Sequence, residues 1–415
     1  MSAAARRPER LVVVGASLAG LRAVEAARST GFTGSVTLIG AEKHLPYDRP
    51  PLSKSFLTDP GEPAGPWLVD PAVLRGELGV ELRLGTPAEA LDTAGRTLRT
   101  ADASVPYDAL VITTGARART LPGAAGLSGI HTLRTLSDAK AVRAALAGRP
   151  RTVVVGSGLI GCEVAVAARA HGCAVTVVET APAPFHQRGD GHLGQVCARL
   201  HRAHGVALRC RVSVESFESD RGGRVSAVVL SDGSRLAAEC VVIGIGAVPE
   251  TDWLAGSGVA VDDGVLCDDT LAASAPGVWA AGDVARVVPR GGDAGGRREH
   301  WTHAAEQGAL AGANAVTEGR AEPFRSLAYF WTDWYGVRVQ GVGDIDGGEP
   351  WTVGDPNGDS FAVVFRAGGR PAGALGFGCP GLISRLRRLM RRGADWQNVL
   401  DLIGPRAAGA ARAAR

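Results

Sequence analysis

Only 5% of the 415 residues are aromatic, and no apolar run approaches the roughly 20 residues that a membrane-spanning helix needs, so no transmembrane segment is expected. Cysteine is sparse and comes late. None of the seven precedes Cys162, and Cys162, Cys173, Cys197, Cys210, Cys240, Cys267 and Cys379 include no closely spaced pair. This distribution argues against a disulfide-stapled secreted domain. It predicts free, mostly structural thiols in a reducing cytosol, and no metal centre. A strong excess of charge is also missing. The net charge of +3 demands no polyanionic partner, so neither nucleic acid nor a membrane surface is expected. Arg6-Arg7 lacks the cleavage site of a twin-arginine signal, and the predicted location is cytoplasmic.

The chain is long enough for two or three domains with sizeable cores. Leu11–Gly20 passes from a β-branched run through a glycine turn into an Ala-rich helical segment. A buried parallel strand that feeds a helix N-terminus reads this way, and such an N-terminus can hold a phosphate. Gly15 and Gly20 occupy the first and third glycine positions of the dinucleotide fingerprint, with Ser17 at the middle one. A serine there narrows the backbone approach to a pyrophosphate and adds a hydroxyl donor. Thr152–Gly161 repeats the pattern with all three glycines, Gly156, Gly158 and Gly161. In both copies the first glycine and the glycine that ends the helix stand sixteen positions apart, Gly15 to Gly31 and Gly156 to Gly172. The matched spacing predicts two Rossmann-like nucleotide-binding units.

Each unit should carry an acid after its second strand to accept hydrogen bonds from a ribose. Glu42 follows the strand Ser35–Ile39, slightly late, and Glu179 follows Ala174–Val178. A carboxylate at Glu179 suits NAD, because the 2′-phosphate of NADP would meet like charge. NADH is therefore favoured over NADPH, although Arg188, downstream, could partly offset that like charge. The loop Leu45–Lys54 holds three prolines and should lack regular structure, presenting Arg49 and Lys54 as rigid cations to a phosphate or cofactor. The strand Ala109–Thr113 ends in Thr114-Gly115, small residues that allow close approach of a ligand. Strand-like pieces are expected around Glu81–Leu84 and Arg96–Arg99, and an antiparallel meander with turns at Asp220–Gly223 and Ser231–Ser234 is expected as an insertion in the second unit. Gly282 permits close approach, and Asp283 could accept hydrogen bonds from a polyol chain or cap a helix. A glycine-rich hairpin tip is expected over 290–296, and frayed tails over 1–9 and from about 405. Past Phe324 the aromatic cluster Phe330–Tyr335, three strand-like pieces and a basic helix, Leu382–Arg392, predict a C-terminal α+β domain.

These motifs resemble the NADH-dependent ferredoxin reductases of oxygenase systems, FAD-containing pyridine-nucleotide oxidoreductases. The likeness rests on Gly15-Ala-Ser-Leu-Ala-Gly20, Tyr47-Asp-Arg-Pro-Pro-Leu-Ser-Lys54, Leu133-Arg-Thr135, Gly156-Ser-Gly-Leu-Ile-Gly-Cys-Glu163, Ala281-Gly-Asp283, Trp301 to Gln307 and Trp331-Thr-Asp333. At Trp334 many relatives carry glutamine. The resemblance implies an FAD-binding domain over 1–116 and 248–324, an NAD-binding domain over 117–247 and a C-terminal interface domain over 325–404.

It further implies that Gly15, Ser17, Leu18, Ala19 and Gly20 hold the FAD pyrophosphate. Glu42, Arg49, Lys54, Ala88, Thr114, Gly115, Arg134, Gly282, Asp283, Trp301 and Trp331 would add FAD contacts. Gly156, Gly158, Leu159, Ile160, Gly161, Glu179, Arg188 and Gly246 would bind NADH. Lys54 and Glu163 would form the catalytic pair at the flavin ring. Relatives that relay electrons through a flavin-side disulfide or a single cysteine place it before residue 162, where this chain has none. Electrons are therefore expected to leave singly for an acidic iron–sulfur partner, a ferredoxin that serves an oxygenase. Alternatives are reduction of rubredoxin or monodehydroascorbate, or a redox-signalling role like that of the apoptosis-inducing factor group.

Overall fold

The computed structural model describes residues 8–59, 65–186, 188–288, 296–317, 321–358 and 360–404. Residues 1–7 of the expected N-terminal tail, 290–295 of the expected hairpin tip and the expected tail from 405 lie outside them. Glu9, expected in the tail, is tied down by its amide, which donates to the Asp108 carboxylate at 3.0 Å. The chain divides into two compact units, Met1–Asp48 with Ala64–Arg117 and Ala247–Ser326, and Arg49–Pro63 with Ala118–Gly246 and Leu327–Arg415.

In the first unit, Leu11, Val12, Val13 and Val14 are all buried, as both faces of a parallel sheet demand. Arg10–Val14 lies at the centre of five parallel strands, in the order Val278–Ala280, Ala109–Ile112, Arg10–Val14, Ser35–Gly40 and Val80–Leu84. The helix Leu18–Ser29 packs on this sheet together with Trp301–Val316. Two glycines bring those helices close. A Cβ on Gly308 or Gly312 would stand 2.3 or 2.1 Å from the carbonyl oxygen of Ala19 or Ala23. Three short antiparallel strands, Ala88–Asp92, Thr97–Thr100 and Ser104–Pro106, form the insertion.

The second unit repeats the design. Thr152–Val155 lies at the centre of Ala207–Cys210, Val175–Glu179, Thr152–Val155, Cys240–Ile243 and Ile130–Thr132, all parallel. Its antiparallel insertion is Val214–Ser219, Val225–Leu230 and Arg235–Ala237. The same unit contains a five-stranded antiparallel sheet in the order Tyr329–Trp334, Val337–Gly343, Arg370–Phe377, Phe361–Ala367 and Glu349–Gly354. The helices Pro380–Arg391 and Trp396–Ile403 pack against one face of that sheet.

The loop expected to lack regular structure contains one 3-10 turn, Pro50–Ser53. Proline at a first helical position loses no bond, because the first amides of any helix have no partner within it. The two prolines therefore start this turn rather than forbid it.

Candidate active site

The two glycine loops are built alike. Gly15 has φ +121°, and a Cβ there would stand 2.1 Å from the carbonyl oxygen of Thr113. Gly156 has φ +97°, and a Cβ there would stand 2.4 Å from the carbonyl oxygen of Gly244. At the third position, Gly20 and Gly161 would each place a Cβ 2.0 Å from the carbonyl oxygen of the loop's own first glycine. Only the middle position differs. A Cβ on Gly158 would meet none of the described residues beyond its own chain neighbours within 4 Å, so the backbone there has room for a ligand. Ser17 is extended there, and its hydroxyl does not cap the helix that follows. Leu18 and Ala19 are buried in the first helical turn, whereas Ile160 is 40% exposed in the second.

Beyond each second strand stands the expected acid. Glu42 accepts the Tyr47 hydroxyl at 2.6 Å. Glu179 accepts the Ser157 amide at 2.9 Å, the Ser157 hydroxyl at 2.6 Å and the Ala181 amide at 2.9 Å. Burial opposes its charge, but these donors outweigh burial and hold its pKa below the ordinary carboxylate value. Glu179 is thus an anion fastened to its own glycine loop. Arg188 is engaged with Asp346 at 3.2 Å.

Within the second unit, the Pro50–Ser53 turn and the helix Leu159–Ala170 bring Lys54 to Glu163. Lys54 Nζ lies 2.7 Å from Glu163 Oε1, and the carboxylate is only 3% exposed. Thr332 donates its hydroxyl to the same oxygen at 2.5 Å, and Ser53 donates to Oε2. One carboxylate therefore receives three side-chain donors, which is what a buried anion requires. Ser53 and Thr332 escaped the sequence reading. The signal for Thr332 is strand alternation along Tyr329–Trp334, which turns it inward beside Trp334.

The other expected residues take these places. Arg49 donates to the backbone carbonyl of Arg134 at 2.6 Å. Trp331 stacks on Tyr329 with ring centroids 5.9 Å apart. Gly246 has φ +97° and accepts the Arg119 amide at 2.9 Å. In the first unit, Trp301 Nε1 donates to Asp48 at 2.6 Å, and the Gly282 amide donates to Gln307 at 2.9 Å. Asp283 sits in the 3-10 turn Gly282–Val284, and its carbonyl accepts Arg297 at 2.9 Å. Thr114 donates to the Glu250 carbonyl at 2.8 Å, Gly115 has φ +71°, and Ala88 opens an insertion strand opposite Thr100.

The cysteines need a correction. They are free, as expected, but not all are apart. Cys162 Sγ and Cys197 Sγ lie 3.3 Å from each other, both buried. They are 35 residues apart in sequence and meet because the helix Leu159–Ala170 and the helix His192–Ala203 share one core cluster.

The family described as pyridine nucleotide-disulphide oxidoreductase matches residues 9–308. The chain belongs to it. A second family, reductase C-terminal, matches residues 329–400. Among curated proteins, the chain is 36% identical over 359 residues to the ferredoxin reductase component of chlorobenzene dioxygenase from Cupriavidus sp. (strain PS12), covering 86% of each. It is 34% identical over 397 residues to the ferredoxin–NAD(+) reductase component of the anthranilate 1,2-dioxygenase system from Burkholderia cepacia, covering 94% of this chain and 96% of that one. Among solved structures, a ferredoxin reductase from Rhodopseudomonas palustris superposes with a TM-score of 0.87 at 30% identity, covering 93% of this chain and 95% of that one. Putidaredoxin reductase in its covalent complex with putidaredoxin gives a TM-score of 0.87 at 28% identity, over 97% and 100%. The family resemblance read from the motifs holds over nearly the whole chain. Among the described residues, no helix is long and apolar enough to cross a membrane.

Proposed function

We propose that the protein takes electrons from NADH and passes them through FAD to a ferredoxin that supplies an oxygenase. The observation that carries this reading is the buried Lys54–Glu163 pair, set on the helix that follows the intact glycine loop, just past its first turn. The relatives named above point the same way. In this reading residues 1–116 and 248–324 bind FAD, 117–247 bind NADH, and 325–404 form the C-terminal domain.

The glycine geometry fits two bound dinucleotides. Four would-be Cβ clashes keep the loops tight, and the open space at Gly158 lets backbone amides reach a pyrophosphate. The loop Gly15–Gly20, Asp283 and Trp301 would hold FAD in the first unit. The loop Gly156–Gly161 and Glu179 would hold NADH in the second. Bound FAD would supply the capacity to accept a hydride and to release electrons one at a time. Lys54 would offer its ammonium group to the bound cofactor. Glu163 orients that lysine, and Ser53 and Thr332 keep the carboxylate in place.

Glu179 supports NADH over NADPH. Its carboxylate is locked as an anion by Ser157 and Ala181, and Arg188 would have to leave Asp346 to neutralise a 2′-phosphate. The test is steady-state turnover of a panel of ferredoxins, with rubredoxin and monodehydroascorbate as competing acceptors and with NADH and NADPH at equal concentration. Rapid NADH-dependent reduction of a ferredoxin is expected. A preparation without bound flavin, or one that reduces only the other acceptors, would overturn the reading.

A further inference from the structure

The Cys162–Cys197 pair has a third member, and nothing in the proposed electron path uses it. His201 lies one helical turn after Cys197, on the same face of His192–Ala203, and is 1% exposed. A ring nitrogen of His201 and both sulphurs all lie within 4.8 Å of one another, and all three residues are buried. Tyr335 holds the ring through a 2.8 Å hydrogen bond between its hydroxyl and Nδ1. Nε2 is buried and has no hydrogen-bond partner among the described residues. A buried, orphaned imidazole nitrogen beside two thiols is costly in a cluster lined by Leu193, Phe361 and Phe377, unless something occupies the gap between them.

We propose that Cys162, Cys197 and His201 form a buried binding site for one thiophilic d10 divalent cation of the zinc class. Two sulphurs and one imidazole are a soft donor set that selects such ions over hard, oxygen-seeking ones. Charge decides the valence. Two thiolates and a dication sum to zero, which an apolar cluster tolerates, and binding expels the two thiol protons. Tyr335 plays the outer partner that ligating histidines need, engaging Nδ1 and leaving Nε2 as the ring nitrogen to ligate. The site would tie the helix that carries Glu163 to the helix His192–Ala203, because Glu163 directly follows Cys162.

The experiment uses the full-length, flavin-loaded protein, reduced and chelator-treated under anaerobic conditions, with Zn(II) as the probe. Competition against a chelator of known affinity should show one tightly held zinc per chain. X-ray absorption of the zinc-loaded wild type should show two sulphurs and one imidazole in the metal shell, a readout that needs no variant. Cys197→Ser and His201→Gln should lose the stoichiometric zinc, while Cys379→Ser, outside the cluster, keeps it. Tyr335→Phe should weaken the affinity roughly 10- to 100-fold, the usual effect of removing an outer-shell partner. No stoichiometric zinc in the reduced wild type, a shell without sulphur, or full retention in Cys197→Ser would each overturn the proposal.

Discussion

At Glu163 an ammonium and two hydroxyls converge on one buried carboxylate, so its replacement leaves more than one group unsatisfied. Glu163→Ala should destabilise the protein by about 3 kcal/mol, near the lower end for a broken buried pair because Lys54 is 19% exposed. Glu163→Gln retains hydrogen-bonding capacity and loses only the charge. It should cost less stability yet still lower NADH oxidation, and thermal unfolding with stopped-flow flavin reduction separates the two effects. If Gln matches wild type in both, the charge of the pair is irrelevant. A second residue-scale prediction concerns pH. Arg10 holds the Asp108 carboxylate, through a hydrogen bond and charge, from its ordinary 3.8 down to about 2. Because the folded value is the lower one, the stabilisation is full above 3.8 and vanishes as pH falls through about 2. Asp108→Asn should therefore cost about 1 kcal/mol or less at neutral pH, since the pair is partly exposed, and the difference should close between these limits in acid unfolding curves.

On the scale of elements, the two loop–helix turns make opposite demands on neighbouring glycines. A methyl on Gly161 would meet the Gly156 carbonyl at 2.0 Å, whereas one on Gly158 would meet nothing within 4 Å. Gly161→Ala should thus cost about 1–3 kcal/mol of stability through overpacking. Gly158→Ala should leave the unfolding temperature near wild type and, if the loop binds NADH as proposed, raise KM for NADH, because the space at Gly158 would serve the ligand rather than the fold. Equal effects of both on stability would mean that the gap at Gly158 is structural. The helix Leu18–Ser29 makes the same demand along its length, where Gly308 and Gly312 of its neighbour press on its carbonyls.

For the molecule as a whole, the electron acceptor must find a docking face. The helix Pro380–Arg391 turns Ile383 and Leu386 into the core and leaves Arg385, Arg388 and Arg391 exposed, with Arg392 just beyond it. Arg387 differs, lying 4.2 Å over the Tyr329 ring, where it braces the helix against the sheet. An acidic ferredoxin would be steered to such a face, and the attraction would weaken with salt. The double variant Arg388→Glu/Arg392→Glu should lower kcat/KM for ferredoxin and flatten its ionic-strength dependence, with NADH oxidation by a small artificial acceptor unchanged. Unaltered ferredoxin kinetics would remove this helix from the docking surface.

Much of this was legible in the chain. Local patterns with a fixed period, the β-branched runs at Leu11–Val14 and Thr152–Val155 and the glycines that follow them, dictate strand, turn and helix within a few residues. They fixed both nucleotide units in outline, and the motif resemblance added the Lys54–Glu163 pair. Other features were not legible, because they arise from residues distant in sequence. Ser53 and Thr332 reach Glu163 across 110 and 169 positions. The strand Glu349–Gly354 and the helix Trp396–Ile403 take shape against the C-terminal sheet rather than from a strong pattern of their own. The cysteines make the contrast sharpest. Their spacing announced isolation, and the helices Leu159–Ala170 and His192–Ala203 set two of them 3.3 Å apart beside a histidine. Backbone periodicity and chain stiffness act locally, so the sequence alone determined the architecture and its nucleotide loops. The meeting of side chains across a core depends on how helices and sheets pack, and only the tertiary structure decided it.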